Sequence, residues 1–233
     1  LILKTLEGIY RPAIISTLPT MGKPVVMLDL GANVDITPEV MVQFCLMGQA
    51  FAKAVLHNPN PSVALLNVGS EELKGTTNVK EAHQIIQKTD LVKNYRGYVE
   101  GDDIFKEKVD VIVTDGFTGN VALKTIEGSV KFFAHTLKTE LSRSWISKIG
   151  ALLAKPAFDA FKNRVDPRYY NGAPFMGLKG ISVKSHGGMD GLGFATAIKV
   201  AINLANNKIN EKLQEEITAL QQRLDVLPYE ENI

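Results

Sequence analysis

The sequence predicts an α/β fold, in which a three-layer, parallel-type sheet carries helices on both faces. Short apolar runs alternate with longer segments whose apolar residues recur every three or four positions, which is the pattern of repeated βα units. The runs at residues 24–30 and 63–68 are nearly continuous, as is typical of strands that are covered on both faces. Because 233 residues can bury one large core, we expect residues 1–233 to form a single domain.

The first helix has a strong start signal. Thr37, Pro38 and Glu39 supply a capping hydroxyl, a proline at the first helical position and a carboxylate in the first turn. We expect this helix to extend to about His57. Further strands are predicted at residues 95–99 and 109–113.

The apolar pattern changes in the second half of the chain. From Val121 it predicts a helical hairpin, over about residues 121–165, that protrudes from the sheet. Basic residues outnumber acidic ones in this hairpin. Its predicted tip contains Trp145, Lys148, Ile149, Leu152 and Leu153. This composition leaves two interpretations open: a dimer-forming arm, and a surface that contacts an anionic membrane.

The chain is predicted to end in a strand followed by a helix. Residues 180–188 are typical of a strand that finishes in glycines. About residues 191–225 are predicted to form one long helix, because their apolar positions follow a single helical stripe. The last third of this helix is charged on its other faces, so we expect it to project from the sheet and pack on a partner or on the hairpin.

Composition excludes several classes of function. The 26 Lys and Arg residues nearly balance the 25 Asp and Glu residues, so no overall field attracts nucleic acid. Cys45 is the only cysteine and the four histidines are scattered, so we expect no disulfide, no metal centre and no cofactor. No apolar run reaches the roughly 18 to 20 residues that cross a bilayer. We therefore expect a cytoplasmic protein that is at most peripheral to the membrane.

Residues 109–124 form the strongest candidate for a functional site. A β-branched run ends in the letters D-G-F-T-G-N, and a helical period begins at Val121. At the carboxyl end of a parallel strand, such a turn presents helix N-terminal amides to a ligand, and these amides suit anions. We expect Asn120 to cap the helix, Asp115 to accept hydrogen bonds and Lys124 to supply a counter-charge. An ordinary strand-to-helix turn is the alternative.

Seven short segments, in chain order, carry a resemblance to a known family. They are R-P-A-I at 11–14, L-D-L-G-A-N-V-D at 28–35, Q-F-C-L-M-G at 43–48, L-L-N-V-G-S-E-E-L-K-G at 65–75, D-G-F-T-G-N-V-A-L-K at 115–124, G-A-P-F-M-G-L at 172–178 and K-S-H-G at 184–187. Together they resemble the bacterial phosphate acyltransferase (PlsX) family of phospholipid synthesis. The match extends from about Ile9 to the last helix, so it is more specific than any single glycine motif.

The resemblance implies a reaction and its partners. Acyl-[acyl carrier protein] and inorganic phosphate would give acyl phosphate and the free carrier protein. The fold would be akin to phosphotransacetylase and to the isocitrate and isopropylmalate dehydrogenases. The resemblance also implies a cytoplasmic homodimer that associates with the membrane, a downstream glycerol-3-phosphate acyltransferase and no nucleic acid. Family members begin with about a hundred further residues of ordinary domain structure, so we expect this chain to be a C-terminal portion.

The glycine turns that follow the strands, including Gly187-Gly188, are expected to converge at one edge of the sheet, where backbone amides hold phosphate. Contacts to phosphate or substrate are expected from residues in these turns and helix starts: Gly31, Asn33, Lys74, Gly116, Gly119, Asn120 and Lys124. Catalytic roles are expected for Lys184, which neutralises phosphate, His186, which moves a proton or donates to the oxyanion, and Asp115, which orients a lysine or holds the phosphate proton. The alternatives are a structural cap for His186 and solvated surface positions for the lysines.

Three other functions remain open at this point. A short-chain phosphotransacetylase would share the fold and the phosphate chemistry. A dehydrogenase of the isopropylmalate type would share the fold, although its paired metal-binding aspartates are not seen in these residues. A fragment that only dimerises and binds membranes, without catalysis, would explain the apolar, basic hairpin. In the enzyme interpretation, that hairpin contacts either the membrane or the acidic carrier protein.

Overall fold

A computed structural model describes residues 3–224, and within this range seven strands form one sheet. The strands are β1 (Ala13–Leu18), β2 (Val25–Leu28), β3 (Val63–Leu66), β4 (Tyr95–Val99), β5 (Val111–Val113), β6 (Ala173–Met176) and β7 (Val183–Lys184). Their order across the sheet is β4-β3-β5-β2-β1-β6-β7. Helices cover both faces of this sheet, which confirms the predicted α/β class.

The sheet is mixed rather than parallel throughout. Strands β4, β3, β5 and β2 are parallel neighbours. Strand β1 pairs antiparallel with both β2 and β6, and β6 pairs antiparallel with β7. The prediction of a parallel-type sheet therefore holds for one half of it. Residues 19–24 are too few for a crossover between parallel strands, so β1 and β2 form an antiparallel pair.

Seven α-helices connect and flank the strands within the described range. They are α1 (Pro38–Val55), α2 (Thr77–Thr89), α3 (Gly116–Ser142), α4 (Trp145–Leu153), α5 (Lys155–Arg164), α6 (Gly191–Asn206) and α7 (Ile209–Leu224). Short 3-10 helices lie at Gly101–Phe105 and Pro167–Tyr170.

The larger core lies under α1, which is buried on nearly all sides. The sheet lies on one side of this helix, and α2, α6 and α7 pack around it. A smaller core lies on the opposite face of the sheet, where Ala122, Leu123 and Ile126 of α3 pack over Met27 and Ile112. This arrangement fixes the start of α3 against the end of β2.

Helix α1 starts at Pro38 as predicted, but its cap and its end differ from the prediction, and so does the start of α3. Thr37 is the N-cap residue of α1, but its hydroxyl makes no capping bond, and α1 ends at Val55 rather than His57. Helix α3 begins at Gly116 instead of Val121, because the Asp115 carboxylate accepts a hydrogen bond from the Thr118 amide and caps the helix there. Asn120 therefore lies inside the helix, and the prediction that it caps α3 is wrong.

The helix predicted over residues 191–225 is two helices. It breaks after Asn206, because Lys208 adopts a left-handed conformation with a φ of 52°. The Asn207 side chain stabilises the break by donating to the carbonyl oxygens of Asn203 (2.9 Å) and Ala54 (3.3 Å). Residue 225 lies outside the described residues.

The break turns the last helix back onto the core. Leu213, Ile217 and Leu220 of α7 are fully buried, and α7 packs against α1. The prediction that this segment projects from the sheet is therefore wrong. The apolar stripe of α7 packs into the core of this chain.

The hairpin of α3, α4 and α5 extends away from the sheet. Residues 131–140 are all exposed, and α4 and α5 contain no buried residue. The predicted second arm is divided at Ala154, where α4 gives way to α5. The Arg164 guanidinium donates to the carbonyl oxygen of Met21, so the end of α5 returns to the turn after β1. Within residues 3–224, no helix combines the length and the apolar character needed to cross a membrane.

Candidate functional site

The candidate site lies where neighbouring parallel strands end. Strands β3, β5 and β2 are adjacent and parallel, so the loops that follow them emerge at the same edge of the sheet. These loops hold residues 29–37, 67–76 and 114–115. The Asn78 side chain donates to the carbonyl oxygen of Ile36 at 2.9 Å, which ties the start of α2 to the loop after β2. Three predicted turns therefore meet at this edge.

The loop after β2 is joined directly to the start of α3. The backbone amide of Gly116 donates to the carbonyl oxygen of Asn33 at 2.7 Å. A Cβ atom on Gly116 would overlap this oxygen, and one on Gly119 would overlap the carbonyl oxygen of Asp29. The approach of the two segments therefore requires both glycines. Gly31 completes the junction: a Cβ placed on it would lie 3.4 Å from the Cβ of Asn120.

Asp29 is the organising residue of this junction, and sequence reasoning assigned it no role. Its side chain is fully buried, and its carboxylate accepts hydrogen bonds from the backbone amides of Ile14, Gly31, Ala32 and Asn33 at 2.8–3.2 Å. The side chain of Asn33 adds a further bond at 2.8 Å. A single carboxylate at the end of an otherwise apolar strand, directly before a glycine loop, was the signal that could have revealed it.

The Asp115 carboxylate has a local role in the structure. One oxygen accepts from the Thr118 amide at 2.8 Å and the other from the Thr118 hydroxyl at 2.7 Å. These bonds satisfy a helix N-terminal amide that would otherwise lack a partner. Asp115 thus fixes the direction in which α3 leaves the junction.

Lys124 lies one helical turn beyond Asn120, on the same face of α3. Lys124 is exposed and pairs with Glu127 at 2.9 Å. Exposed pairs of this kind contribute little stability, so the ammonium is free to change partner.

Lys74 lies in the loop after β3 and folds back over Gly69. Its ammonium pairs with Glu71 at 2.9 Å, and this hydrogen bond raises the pKa of Lys74 and lowers the pKa of Glu71. The loop is shaped by Asn67, whose side chain donates to the carbonyl oxygen of Lys74 at 3.0 Å. Like Lys124, Lys74 is a charged, exposed group at the carboxyl edge of the sheet.

Lys184 and His186 are not brought to this edge within one chain. Strand β7 is three strands away from β2, which is about 14 Å at the usual strand spacing. In the sheet, Lys184 lies opposite Ala173 of β6. Two residues further along β6, Phe175 lies opposite Ile14, whose amide donates to Asp29.

The chain then continues away from the junction. The amide of His186 donates to the Asn171 side chain at 3.1 Å, and its Nδ1 accepts from the amide of Gly188 at 3.2 Å. The Gly187-Gly188 turn therefore does not meet the other glycine turns at the carboxyl edge of the parallel strands, contrary to the expectation. The contacts of His186 are those of a residue that shapes a turn.

The residues expected to contact a membrane or the carrier are also remote from the junction. Helix α4 exposes Lys148, Ile149 and neighbouring apolar side chains on the hairpin. Of these, Trp145, Leu152 and Leu153 are 71–77% exposed. They form one outward-facing group that is separate from the glycine loops.

No group of three or more His, Cys, Asp or Glu side chains in the described part of the chain is placed to hold a metal ion. Cys45 is fully buried in α1, and this burial raises the pKa of its thiol well above the usual range. A buried, protonated thiol is a poor nucleophile, so Cys45 belongs to the core.

The fold and the junction together define a class: an α/β protein whose strand-to-helix loops meet at the carboxyl edge of parallel strands, where such proteins bind ligands. The chain belongs to the family of the fatty acid synthesis protein, whose model matches residues 1–212.

Curated relatives are similar to the chain over most of its length. A phosphate acyltransferase from Rhodospirillum centenum is 51% identical over 224 residues, which are 96% of this chain and 63% of the relative. A phosphate acyltransferase from Methylococcus capsulatus is 50% identical over 201 residues, which are 86% of this chain and 59% of the relative. The chain thus spans about three fifths of the length of the curated relatives it matches.

Two solved structures are distantly similar. A phosphotransacetylase from Streptococcus pyogenes matches with a TM-score of 0.48 and 16% identity, over 96% of this chain and 57% of that one. The EutD phosphotransacetylase from Staphylococcus aureus matches with a TM-score of 0.46 and 14% identity, over 93% of this chain and 56% of that one.

Proposed function

We propose that the protein is an acyltransferase that converts acyl-[acyl carrier protein] and inorganic phosphate into acyl phosphate and free carrier protein, in bacterial phospholipid synthesis. Relatives that are about half identical carry the name phosphate acyltransferase, and the chain belongs to a fatty acid synthesis family. The observation that carries the proposal is the junction of Asn33 with Gly116. It joins a glycine loop to the first turns of α3, which contain Asn120 and Lys124, at the edge of the sheet where α/β proteins bind ligands.

The reaction needs no covalent intermediate on the enzyme. A phosphate oxygen attacks the thioester carbonyl carbon, the carbon–sulfur bond breaks, and the carrier leaves as a thiol after its sulfur takes up a proton. Holding phosphate next to the thioester replaces a bimolecular encounter, and oriented donors stabilise the oxyanion that develops. The protein's task is therefore to position phosphate and to exclude competing water.

In this mechanism Lys74 and Lys124 neutralise the phosphate, and Asn120 offers its side-chain amide beside Gly31. Each lysine releases an exposed glutamate partner when phosphate binds. Asp115 holds the first turn of α3 in place for this contact. Lys184 and His186 lie three strands from β2, so this mechanism gives them no contact with the phosphate held at the junction.

Apolar side chains border the junction and suit an acyl chain. Val34 follows Asn33, and Phe117 follows Gly116, so the hydrogen bond between Asn33 and Gly116 places these two side chains on neighbouring segments. Both are largely exposed, Val34 at 75% and Phe117 at 62%. Apolar surface next to a phosphate site supports a long-chain acyl substrate rather than an acetyl group.

The hairpin supports contact with an anionic partner. Trp145, Ile149, Leu152 and Leu153 expose apolar surface beside Lys148, which is the composition of helices that lie on anionic membranes. The acidic carrier protein is the other candidate for this surface. The proposal includes a cytoplasmic location, and in the membrane interpretation the association is peripheral.

Assembly as a homodimer is part of the proposal. Phe194, Ile198 and Ile202 are 46–57% exposed and lie at four-residue spacing on α6, so they form an unpaired apolar stripe. Stripes of this kind are covered in oligomers. Acyl phosphate is a reactive anhydride, so a downstream glycerol-3-phosphate acyltransferase is the expected consumer of the product.

The proposal is tested by supplying the native full-length protein with phosphate and either palmitoyl-[acyl carrier protein] or acetyl-coenzyme A. Acyl phosphate is trapped as the hydroxamate, and released thiol is counted. The expected result is thiol release that requires phosphate, matches hydroxamate and favours the carrier substrate. Preference for acetyl-coenzyme A would instead support a short-chain phosphotransacetylase. Absence of turnover together with dimerisation and vesicle binding would support a non-catalytic module.

A further inference from the structure

The loop after β2 does not offer its backbone amides to a ligand. The amides of Gly31, Ala32 and Asn33 all donate to the Asp29 carboxylate. Successive amides that point inward normally form an anion-binding concavity, and here a carboxylate of the same chain occupies it. The expectation that these three amides hold phosphate is therefore wrong, and the loop must contribute to binding in another way.

The orientation of the Asn33 side chain is set by its two acceptors. Its Nδ2 atom donates to the carbonyl oxygen of Pro12 at 2.7 Å and to Asp29 Oδ2 at 2.8 Å. Both partners accept hydrogen bonds only, so the amide cannot be turned the other way round. Asn33 Oδ1 accepts no hydrogen bond from the described residues, and Asn33 is partly exposed, so this oxygen is available to a ligand.

A lone acceptor beside a phosphate site is selective. At neutral pH inorganic phosphate carries at least one P–OH group, which donates a hydrogen bond. Sulfate has the same shape but no proton to donate. An acceptor oxygen stabilises the first ion and repels the second, because a lone pair then faces a lone pair.

We propose that Asn33 Oδ1 accepts the hydrogen bond of the phosphate P–OH group, and that Asp29 is the positioning residue that presents this oxygen. Asp29 does so by holding both the amide and the side chain of Asn33, and the carbonyl group of Asn33 in turn holds the amide of Gly116. The inference rests on the proposed function, since it names how that site selects its phosphate substrate.

The test measures the dissociation constants of inorganic phosphate and of sulfate, by titration calorimetry, in the native full-length protein without thioester. Asn33→Ala and Asp29→Asn are each expected to weaken phosphate binding about tenfold or more, and sulfate binding much less, because one hydrogen bond to a charged ligand is lost. The preference for phosphate over sulfate should fall accordingly. The double variant should lose no more than the worse single variant, because the two residues act through one atom.

Asp110→Asn is the matched control. The Asp110 carboxylate also organises strand ends, by accepting from the amide (2.8 Å) and the hydroxyl (2.6 Å) of Ser62, but it lies at the start of β5, away from the junction. This variant should keep the preference for phosphate. If Asp29→Asn does not fold, Asn33→Ala decides the question.

An unchanged preference in Asn33→Ala, or an equal loss in Asp110→Asn, overturns the inference. Failure of the proposed reaction has a different signature. Phosphate selectivity that depends on Asn33, without acyl phosphate formation, would contradict the reaction and leave this inference standing. Absence of phosphate binding by the unaltered protein would overturn both.

Discussion

The backbone amide of Gly116 donates to the carbonyl oxygen of Asn33, and this 2.7 Å bond joins the start of α3 to the loop after β2. The bond explains why α3 begins where it does. It also uses one of the amides that a helix N-terminus leaves unpaired, so α3 is anchored rather than merely adjacent. Everything proposed for phosphate depends on this contact, since it brings the two segments together.

Substitution of Gly119 should disrupt the junction. A methyl group at this position would overlap the backbone of Asp29, so Gly119→Ala is expected to lower the free energy of unfolding by about 1–3 kcal/mol and to reduce turnover. Gly128→Ala is the control, because Gly128 lies in the same helix with nothing near its missing side chain. It should stabilise the protein by about 0.5–1 kcal/mol. Urea unfolding of both variants checks the prediction, and equal effects would contradict it.

Asp115 is expected to act through its cap. Asp115→Ala should cost about 1 kcal/mol of stability, because the Thr118 amide loses its acceptor. Asp115→Ser restores an oxygen at the cap and should recover most of the stability and the turnover. If Asp115 instead orients a lysine or holds the phosphate proton, the two catalytic roles expected from the sequence, Asp115→Ser will be stable and inactive. Thermal unfolding and initial rates, measured together, separate the two roles.

His83 should make stability depend on pH. Its side chain is buried and its Nδ1 lies 2.8 Å from the Tyr95 hydroxyl, while Nε2 has no partner in the described part of the chain. Burial lowers the pKa of His83 from 6.5, although the charge of Glu72 opposes this, and the ring of Tyr98 packs alongside.

The sign follows from proton uptake. In the unfolded chain His83 takes up a proton near pH 6.5, whereas in the folded chain its lowered pKa opposes protonation. Lowering the pH therefore shifts the equilibrium toward the unfolded chain. The stability that neutral His83 contributes is complete above pH 6.5. Below pH 6.5 the free energy of unfolding declines by at most about 1.4 kcal/mol per pH unit, until the pH reaches the lowered pKa of His83 in the folded chain. Urea unfolding at several pH values should show this slope, and His83→Gln should reduce it. An unchanged slope would contradict the assignment.

The hairpin prediction concerns Lys148 and Lys155. Both are exposed, and Lys155 pairs with Asp159 at 2.6 Å. Reversing both charges should weaken binding to anionic vesicles at least tenfold, since each basic residue near such a surface contributes about 1 kcal/mol. Turnover of a soluble thioester should not change. Lys93→Glu, at an exposed site remote from the hairpin, is the control. A raised KM for the carrier, with vesicle binding intact, would assign the surface to the carrier instead.

The sequence was most informative where structure is local. Continuous apolar runs predicted β2 and β3, and the proline at position 38 marked the start of α1. The break at Lys208 was missed, because it depends on an asparagine side chain that reaches back to α1 as well as along its own helix. A helical stripe looks the same whether it continues straight or folds back.

The candidate site was predicted only in part, for a related reason. The glycine turns at residues 31 and 116 were found because each directly follows an apolar strand. Asp29 was missed because one of its donors, Ile14, precedes it by fifteen residues and lies on another strand. Lys184 was expected at the junction because a strand that ends in glycines does not reveal its place in the sheet.

The central claim is that phosphate binds at the junction and not beside β7. The most direct measurement compares the KM for phosphate in Lys124→Ala and Lys184→Ala of the native full-length protein. Loss of one charged contact is expected to raise the phosphate KM of Lys124→Ala about tenfold or more, with the KM for the carrier substrate nearly unchanged, while Lys184→Ala keeps its phosphate KM. A raised phosphate KM in Lys184→Ala alone would contradict this account and place the phosphate at the other end of the sheet.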